Sequence, residues 1–177
     1  MKKSRYFSEL SKTYSDEIDD LVTDSENKSV LQQRLNIKRK EIASILPMIE
    51  FSPEMVAVAF YDAFKFNSSE IMQKIALSEP GMPGFLTWAK LKDHLTLADW
   101  AAPLINLSLK APGGDDFLVT TAALEYLRKK DTSAAPEPEN ETHKERSEND
   151  DDDDEINDLG EAGADWLTDQ GFDSLES

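Results

Sequence analysis

The sequence contains no cysteine, and this absence removes several kinds of chemistry at once. Disulfide bonds, thiol nucleophiles and cysteine-ligated zinc are excluded. Histidine is also scarce, because His94 and His143 are the only two in the chain. Neither histidine lies in a pattern that supplies a nucleophile, a general base and a supporting acid. We therefore expect a protein that is not an enzyme and that needs neither a metal nor another cofactor.

Long apolar runs are absent as well. The first ten residues begin with two lysines after the methionine, but no apolar stretch of the kind found in secretory signals follows them. No run in the chain reaches the roughly 20 apolar residues that a membrane-spanning helix needs. We expect a soluble, cytoplasmic protein that has no membrane partner.

Basic residues are scarce in one part of the chain only. Residues 1–131 carry 17 Lys and Arg against 19 Asp and Glu, a net charge of −2. Residues 132–177 carry 2 Lys and Arg against 17 Asp and Glu, a net charge of −15. The shift predicts a helical domain over residues 1–131, a disordered linker over 132–149 and an acidic tail with short apolar docking motifs over 150–177.

Helical periodicity dominates the first 131 residues, and no stretch shows the alternation that is typical of a strand. Cap residues, prolines and glycines divide this part into helices at residues 6–24, 29–46, 52–66, 68–78, 85–92, 96–109 and 115–130, of which 85–92 is a short helix or a half-buried segment. The expected caps of the first, second and fourth helices are Ser4, Ser29, and Ser68 or Ser69. In the sixth helix, Thr96 and Asp99 resemble a capping box. The sequence PGMPG at residues 80–84 is a strong break, which we interpret as a plain turn between helices, with a flexible recognition loop as the alternative. The predicted fold class is all-α: a small helical bundle of six or seven helices, followed by a disordered acidic C-terminal tail.

One stretch, residues 52–66, is expected to form the centre of this bundle. Its sequence is SPEMVAVAFYDAFKF, in which Ser52 suits a helix cap and Pro53 suits a first turn. The residues that follow are apolar almost all round, and a helix with so narrow a polar strip is normally buried. We also expect Trp88, Trp100 and the phenylalanines to lie in the core.

The first two helices have a short connection, which favours an antiparallel hairpin. One seam through this hairpin places Glu17 opposite Lys38, where an ion pair would set the register. The same first helix also fits a seam in which Ile18 faces inward and Glu17 faces outward, while the long side chain of Lys38 extends its ammonium group to water. Both seams agree with the sequence.

The second helix is the most basic part of the chain, and its cations are Arg34, Lys38, Arg39 and Lys40. One interpretation is a surface that contacts the phosphates of a nucleic acid. On a helical wheel, however, these side chains point in several directions. We therefore prefer a solvated helix surface and keep nucleic-acid contact as the alternative.

Apolar residues return within the acidic tail. They are Ile156, Leu159, Trp166, Leu167, Phe172 and Leu175. A tail that served only to increase solubility would have little use for tryptophan and phenylalanine. Bulky side chains in a charged, disordered segment are typical of segments that dock onto a partner. We predict that these residues bind a protein that has a basic groove.

Together, these patterns predict a non-enzymatic intracellular adaptor, assembly factor or chaperone-like protein. It would bind a protein partner through its helical body and its acidic, aromatic tail. The alternative is an accessory or regulatory protein associated with nucleic acid. In that case the second helix would contact phosphates, and the tail would mimic a nucleic acid or recruit other factors.

Overall fold

The computed structural model describes residues 1–134, and this part of the chain is predominantly helical. Its elements are α1 (Arg5–Thr23), α2 (Lys28–Lys40), α3 (Ile42–Ile45), α4 (Pro53–Ala57), β1 (Phe64–Phe66), α5 (Ser69–Ala76), α6 (Trp88–Leu91), β2 (Leu95–Leu97), α7 (Ala101–Lys110) and α8 (Gly114–Ala134). Short 3₁₀ turns lie at Leu46–Glu50, Val58–Phe60 and Lys92–His94. The predicted all-α fold class is confirmed. Helix α8 continues past residue 131 to Ala134, and the rest of the predicted linker and tail lies outside the described residues.

The caps of two helices agree with the sequence signals, and the cap of a third does not. Ser4 caps α1 by accepting a hydrogen bond from the Phe7 backbone N–H at 3.2 Å. Ser68 caps α5 in the same way. The second helix is capped by Asn27 instead of Ser29. It also ends at Lys40, so the predicted continuous helix to residue 46 is wrong.

The stretch from residue 52 to residue 66 is buried but is not one helix, which corrects the prediction for this segment. Helix α4 ends at Ala57, and a 3₁₀ turn follows it. The chain then turns at Asp62, which has a positive φ of 63°, and enters β1. Most of the apolar side chains here are buried, including Phe60 and Phe64. The apolar pattern therefore predicted burial correctly and secondary structure incorrectly.

Two polar side chains from distant parts of the chain hold this break in place. The Arg39 guanidinium donates hydrogen bonds to the carbonyl oxygens of Ala59 and Tyr61, each at 3.1 Å. The Asp62 backbone N–H donates to the Glu125 carboxylate at 3.0 Å. Backbone groups that leave the helical ladder must find other partners when they are shielded from water. Arg39 and Glu125 supply them.

The helix that is buried on all sides is α8. Every residue from Phe117 to Leu127 is buried. Helices α1, α4, α5, α6 and α7 all pack against α8. Its start lies very close to α7, because a Cβ atom at Gly114 would stand 1.8 Å from the carbonyl oxygen of Ser108. Only glycine fits at that position, and this lets α7 and α8 approach at their junction.

Two short strands contradict the expectation of a fold without strands. β1 and β2 pair antiparallel, with Lys65 opposite Thr96. The capping box predicted at Thr96 and Asp99 is therefore wrong, since Thr96 lies in β2 and α7 begins at Ala101. Each strand has three residues, which is too short for an alternating pattern to stand out in the sequence.

Of the two seams considered for the first helix, the one that pairs Glu17 with Lys38 is wrong. Helix α1 packs mainly against α4 and α8, and α2 packs mainly against the 3₁₀ turn Val58–Phe60. Within residues 1–134, Glu17 and Lys38 form no ion pair. Ile18 is fully buried, as the alternative seam requires.

Two aromatic residues expected in the core lie on the surface instead. Trp88 is buried as predicted, but Trp100 is exposed and carries the Arg39 guanidinium 3.6 Å from its ring centroid. Phe51 is 83% exposed, the largest exposure among the large apolar side chains of residues 1–134. Both residues sit just before a helix begins, at positions where the chain runs along the surface.

Candidate functional site

A groove of about 790 Å³ opens between α5 and the segment that follows it. We call it the Leu77 groove. Its lining comes from the end of α5, the loop before α6, α6 itself and the 3₁₀ turn after it. The lining residues are Ile71, Lys74, Leu77, Ser78, Pro83, Gly84, Leu86, Lys90, Asp93 and His94.

Helix α5 supplies one wall of the groove because its two faces differ. One face is fully buried in the core and includes Met72 and Ile75. Ile71 is half-buried and Lys74 is exposed, and both line the groove. Leu77 terminates the helix and is 56% exposed. The amphipathic pattern of α5 thus anchors the helix while it leaves an apolar edge open to solvent.

The opposite wall is the loop with the sequence PGMPG, which the sequence analysis treated as a break between helices. Two backbone hydrogen bonds of 2.9 Å fold it into consecutive turns, from Met82 to Glu79 and from Phe85 to Met82. The loop lies against the end of α5, since a Cβ atom at Gly84 would stand 3.1 Å from the Ser78 hydroxyl oxygen. The small residue at this position brings the two walls together.

The groove combines an apolar surface with a slight excess of positive charge. Ile71, Leu77 and Leu86 supply the apolar part. Lys74 and Lys90 outnumber Asp93, so the lining carries a net charge of +1 with His94 neutral. Met82, in the same loop, is a further exposed apolar side chain. Concave apolar surfaces with a few charged groups are typical of binding sites.

The groove does not assemble a recognisable catalytic set. Its histidine, His94, has a structural backbone role, because its carbonyl oxygen accepts a hydrogen bond from the Asn67 N–H at 3.0 Å. Among residues 1–134, no group of three His, Asp or Glu side chains is arranged to hold a metal ion. Over the same residues, no helix combines the length and apolar character needed to cross a membrane.

The four cations predicted for nucleic-acid contact have different surroundings. Arg39 is engaged in the fold through its two backbone acceptors and the Trp100 ring. Burial lowers the pKa of Arg39, and the nearby charge of Asp62 partly opposes this effect. The Arg34 guanidinium lies 4.0 Å from Asp24, Lys38 is half-buried and Lys40 is exposed. Nucleic-acid contact therefore stays a prediction that rests on Arg34, Lys38 and Lys40.

The six apolar residues of the tail lie outside the described residues. They are Ile156, Leu159, Trp166, Leu167, Phe172 and Leu175. Their predicted role in partner binding stays a prediction.

The Leu77 groove was not predicted, although the sequence contains one signal for it. Leu77 precedes the PGMPG break and Met82 lies within it, whereas a plain turn between helices is usually polar. An apolar residue within the break and another just before it are the signal in the sequence for this surface.

A buried polar cluster around Glu125 was missed as well. Glu125 is 1% exposed, and its carboxylate accepts a hydrogen bond of 2.6 Å from the Tyr14 hydroxyl. It also accepts from the Asp62 N–H and lies 3.3 Å from the Lys129 ammonium. Burial, together with the charge and hydrogen bond of Glu125, raises the pKa of Tyr14 well above its ordinary value. All these partners are internal, so the cluster stabilises the fold.

Comparisons with family models, with curated proteins and with solved structures found no match to this chain. The function proposed below therefore rests on the residues of the site.

Proposed function

We propose that the protein is a non-enzymatic adaptor or assembly factor whose Leu77 groove binds an apolar segment of a partner protein. The observation that carries the proposal is a groove of about 790 Å³ in which the exposed Leu77 lies together with Ile71 and Leu86, and which two lysines also line. Several apolar side chains that line one concave surface together with a few charged groups are typical of a binding site.

The free energy that burial of apolar side chains in this groove can supply fits a reversible complex. Burying one leucine-sized side chain completely contributes about 1.5–3 kcal/mol. Leu77 and its apolar neighbours Ile71 and Leu86 can each gain part of this amount on binding. The cost of ordering a peptide offsets much of the gain. We therefore expect a transient contact of the kind that adaptors use.

The charge of the groove indicates the chemistry of the partner segment. Lys74 and Lys90 are both exposed, and within residues 1–134 neither takes part in an ion pair. An acidic residue beside the apolar anchor of the partner would meet one of these ammonium groups. Such pairs add selectivity and speed more than affinity. The expected occupant is an apolar segment flanked by Asp or Glu.

The tail would give the adaptor a second and different binding site. Its net charge of −12 over residues 150–177 favours a partner with a basic groove, and its six apolar residues, Trp166 and Phe172 among them, would supply the anchors. Two sites with opposite charge preference would let one chain hold two unlike components.

A peptide selection on the intact protein tests both sites. Random 12-residue peptides displayed on phage are selected on the wild-type chain, and the enriched peptides are measured against variants. For the groove, Leu77→Asp removes the apolar rim and adds a negative charge. Leu109→Asp is the matched control, because Leu109 is another exposed leucine near the end of a helix and does not line the groove.

We expect one class of enriched peptides to join apolar residues with Asp or Glu. These peptides should lose at least tenfold in affinity for Leu77→Asp and keep their affinity for Leu109→Asp. A second class, rich in Lys and Arg, should lose affinity for the Trp166→Ala variant but not for Trp100→Ala. If enriched peptides bind both leucine variants equally, the groove is not the binding site. The tail proposal fails if the basic class is absent.

A further inference from the structure

A second concave surface lies on a different part of the body, between β1 and the end of α8. It is a cleft of about 420 Å³ that we call the Lys130 cleft. The lining residues used below are Lys65, Phe66, Ser69, Tyr126, Lys129 and Lys130. None of them lines the Leu77 groove. An inference about this cleft is independent of the function proposed above.

The cleft places aromatic rings and ammonium groups side by side. The rings of Phe66 and Tyr126 meet edge to face, with centroids 5.3 Å apart and an interplanar angle of 79°. The Lys129 ammonium lies 5.7 Å from the Phe66 centroid, and the Lys130 ammonium lies 5.9 Å from the Tyr126 centroid. The hydroxyl groups of Ser69 and Tyr126 are 2.6 Å apart and share a hydrogen bond.

The lysines of this cleft differ in whether they form ion pairs. Lys129 is engaged internally, because it pairs with Asp62 at 3.2 Å and with Glu125 at 3.3 Å. Lys65 and Lys130 are exposed, and no Asp or Glu within residues 1–134 pairs with either of them. Two exposed lysines therefore line the cleft without a carboxylate partner from the described part of the chain.

A third cleft serves as a comparison, because its cations are paired with carboxylates of the same chain. It has a volume of about 540 Å³ and is lined by Lys3 and Arg128 among other residues. Lys3 pairs with Asp131 at 2.8 Å, and Arg128 pairs with Asp19 at 2.9 Å. Its charges are matched from within and it has no aromatic ring. The Lys130 cleft differs in both respects.

We propose that the Lys130 cleft binds a nucleotide, with its phosphate against Lys65 and Lys130 and its base beside Phe66. Ammonium groups and hydroxyl donors suit the oxygens of a phosphate group, because these oxygens are charged acceptors. An aromatic ring next to the cations suits a ligand that is anionic at one end and aromatic at the other. The cleft volume lies within the roughly 300–1,000 Å³ range of small-molecule sites.

Nucleotide chemistry has two sources, a free mononucleotide and a single-stranded nucleic acid. The test uses the full chain in calorimetric titrations with adenosine monophosphate, with an eight-residue oligodeoxyadenylate and with inorganic phosphate. The double variant Lys65→Gln/Lys130→Gln removes both free ammonium groups. The control is Lys74→Gln/Lys90→Gln, which removes the same charge from the Leu77 groove. Circular dichroism establishes that both variants fold.

The expected result is at least a tenfold loss of nucleotide affinity in the Lys65/Lys130 variant and less than a twofold loss in the control. Phe66→Leu should weaken nucleotide binding several-fold and leave phosphate binding unchanged. An oligonucleotide that binds more tightly than the mononucleotide, with a salt dependence that becomes shallower in the Lys65/Lys130 variant, assigns the site to a single strand. The reverse order assigns it to a free nucleotide.

Three outcomes would overturn the proposal. One is the absence of binding by either nucleotide probe at millimolar concentration. Another is an equal loss in the two double variants, which would mean that only overall charge matters. The third is equal affinity for adenosine monophosphate and inorganic phosphate, since the base would then contribute nothing. A failed peptide selection at the Leu77 groove has no bearing on these results.

Discussion

The segment from Ser52 to Phe66 and the central part of α8 are both apolar and both buried, yet only α8 is a continuous helix. In α8, every backbone group between Phe117 and Leu127 stays within the helical ladder while neighbouring helices cover all sides. In the earlier segment, the helix stops at Ala57 and the chain leaves it for a turn and a strand.

The difference lies in the polar partners that are available to the backbone. Arg39 offers donors to two carbonyl groups of the earlier segment, and Glu125 accepts from the Asp62 N–H. Both partners come from distant positions in the sequence. Apolar patterning therefore decides which residues are buried, whereas a few remote polar side chains decide the path of the backbone among them.

The largest expected effect tests the burial that the two regions share. The Phe60 ring is fully buried and packs against Phe64 in its own segment and Phe117 in α8. Replacing it with alanine should lower the free energy of unfolding by about 3–5 kcal/mol. Urea denaturation measures this value. Phe51→Ala is the control, because Phe51 is largely exposed and its loss should cost less than about 0.5 kcal/mol. Similar midpoints for the two variants would contradict the packing.

A slightly smaller effect is expected where the two regions are joined by hydrogen bonds. Glu125→Ala leaves the Tyr14 hydroxyl and the Asp62 N–H without an acceptor, and it also creates a cavity. We expect a loss of about 2–4 kcal/mol in the free energy of unfolding, from unsatisfied groups that cost roughly 1–3 kcal/mol each. Glu125→Gln keeps one acceptor oxygen, so we expect it to lose less stability than Glu125→Ala. Glu70→Ala, on the exposed start of α5, should leave the midpoint near that of wild type.

The hydroxyl of Tyr14 adds a pH dependence to the same cluster. Tyr14→Phe removes its hydrogen bond to a carboxylate, which should cost about 1.5–3 kcal/mol at neutral pH. The pKa of Tyr14 is raised above 10 in the folded protein, so the folded state holds this proton more tightly than the unfolded state. The contribution is full below pH 10 and is lost as the pH rises through the folded pKa.

Denaturation midpoints between pH 8 and pH 11 check this sign. Wild type and Tyr14→Phe should converge as the pH rises above 10, because only wild type loses the contribution of the tyrosine proton. Lysine titration is common to both proteins and cancels in the difference. A difference between the two proteins that grows above pH 10 would contradict the assigned sign.

These residues also show how far the sequence could predict the structure. The cap at Ser4, the burial of Phe60 and the helical class all follow from local signals, and local signals can be read from neighbouring residues. The break after Ala57 and the role of Glu125 depend on contacts 20 to 111 residues apart. No local pattern specifies which remote side chain will form these hydrogen bonds. Such contacts override helix propensity, which is a weak preference.

The two candidate sites also depend on contacts that local signals in the sequence do not specify. The PGMPG break is visible in the sequence, but its packing against the end of α5 and the exposure of Leu77 are not. The Lys130 cleft joins β1 to α8, which lie about 60 residues apart in the sequence, and β1 itself was predicted as helix. A site built from distant elements requires the tertiary fold before its residues can be grouped.

A moderate effect is expected from Arg39, the other partner of the break. Arg39→Met keeps much of the side-chain volume but removes the hydrogen bonds to Ala59 and Tyr61 and the charge over Trp100. We expect a loss of about 1–2 kcal/mol, because each of the two lost hydrogen bonds contributes about 0.5–1.5 kcal/mol net. Lys40→Met is the control, since Lys40 is exposed on the same helix. Equal midpoints would mean that Arg39 does not hold the break.

The smallest effect concerns the turn itself, at Asp62, and its sign is the informative quantity. An L-residue at a φ of 63° has its Cβ close to the neighbouring carbonyl, which costs about 1–2 kcal/mol and is avoided by glycine. Asp62→Gly and Asp62→Ala both remove the ion pair to Lys129, so comparing them isolates the backbone. Asp62→Gly should be the more stable of the two by about 1 kcal/mol.

At Gln33, which is exposed within α2, the order should reverse, because glycine in a helix costs about 0.5–1 kcal/mol relative to alanine. If alanine were the more stable residue at both positions, the chain would be continuing in a helical conformation through Asp62. Ser52–Phe66 would then be a helix like α8, and the contrast between the two regions would be lost.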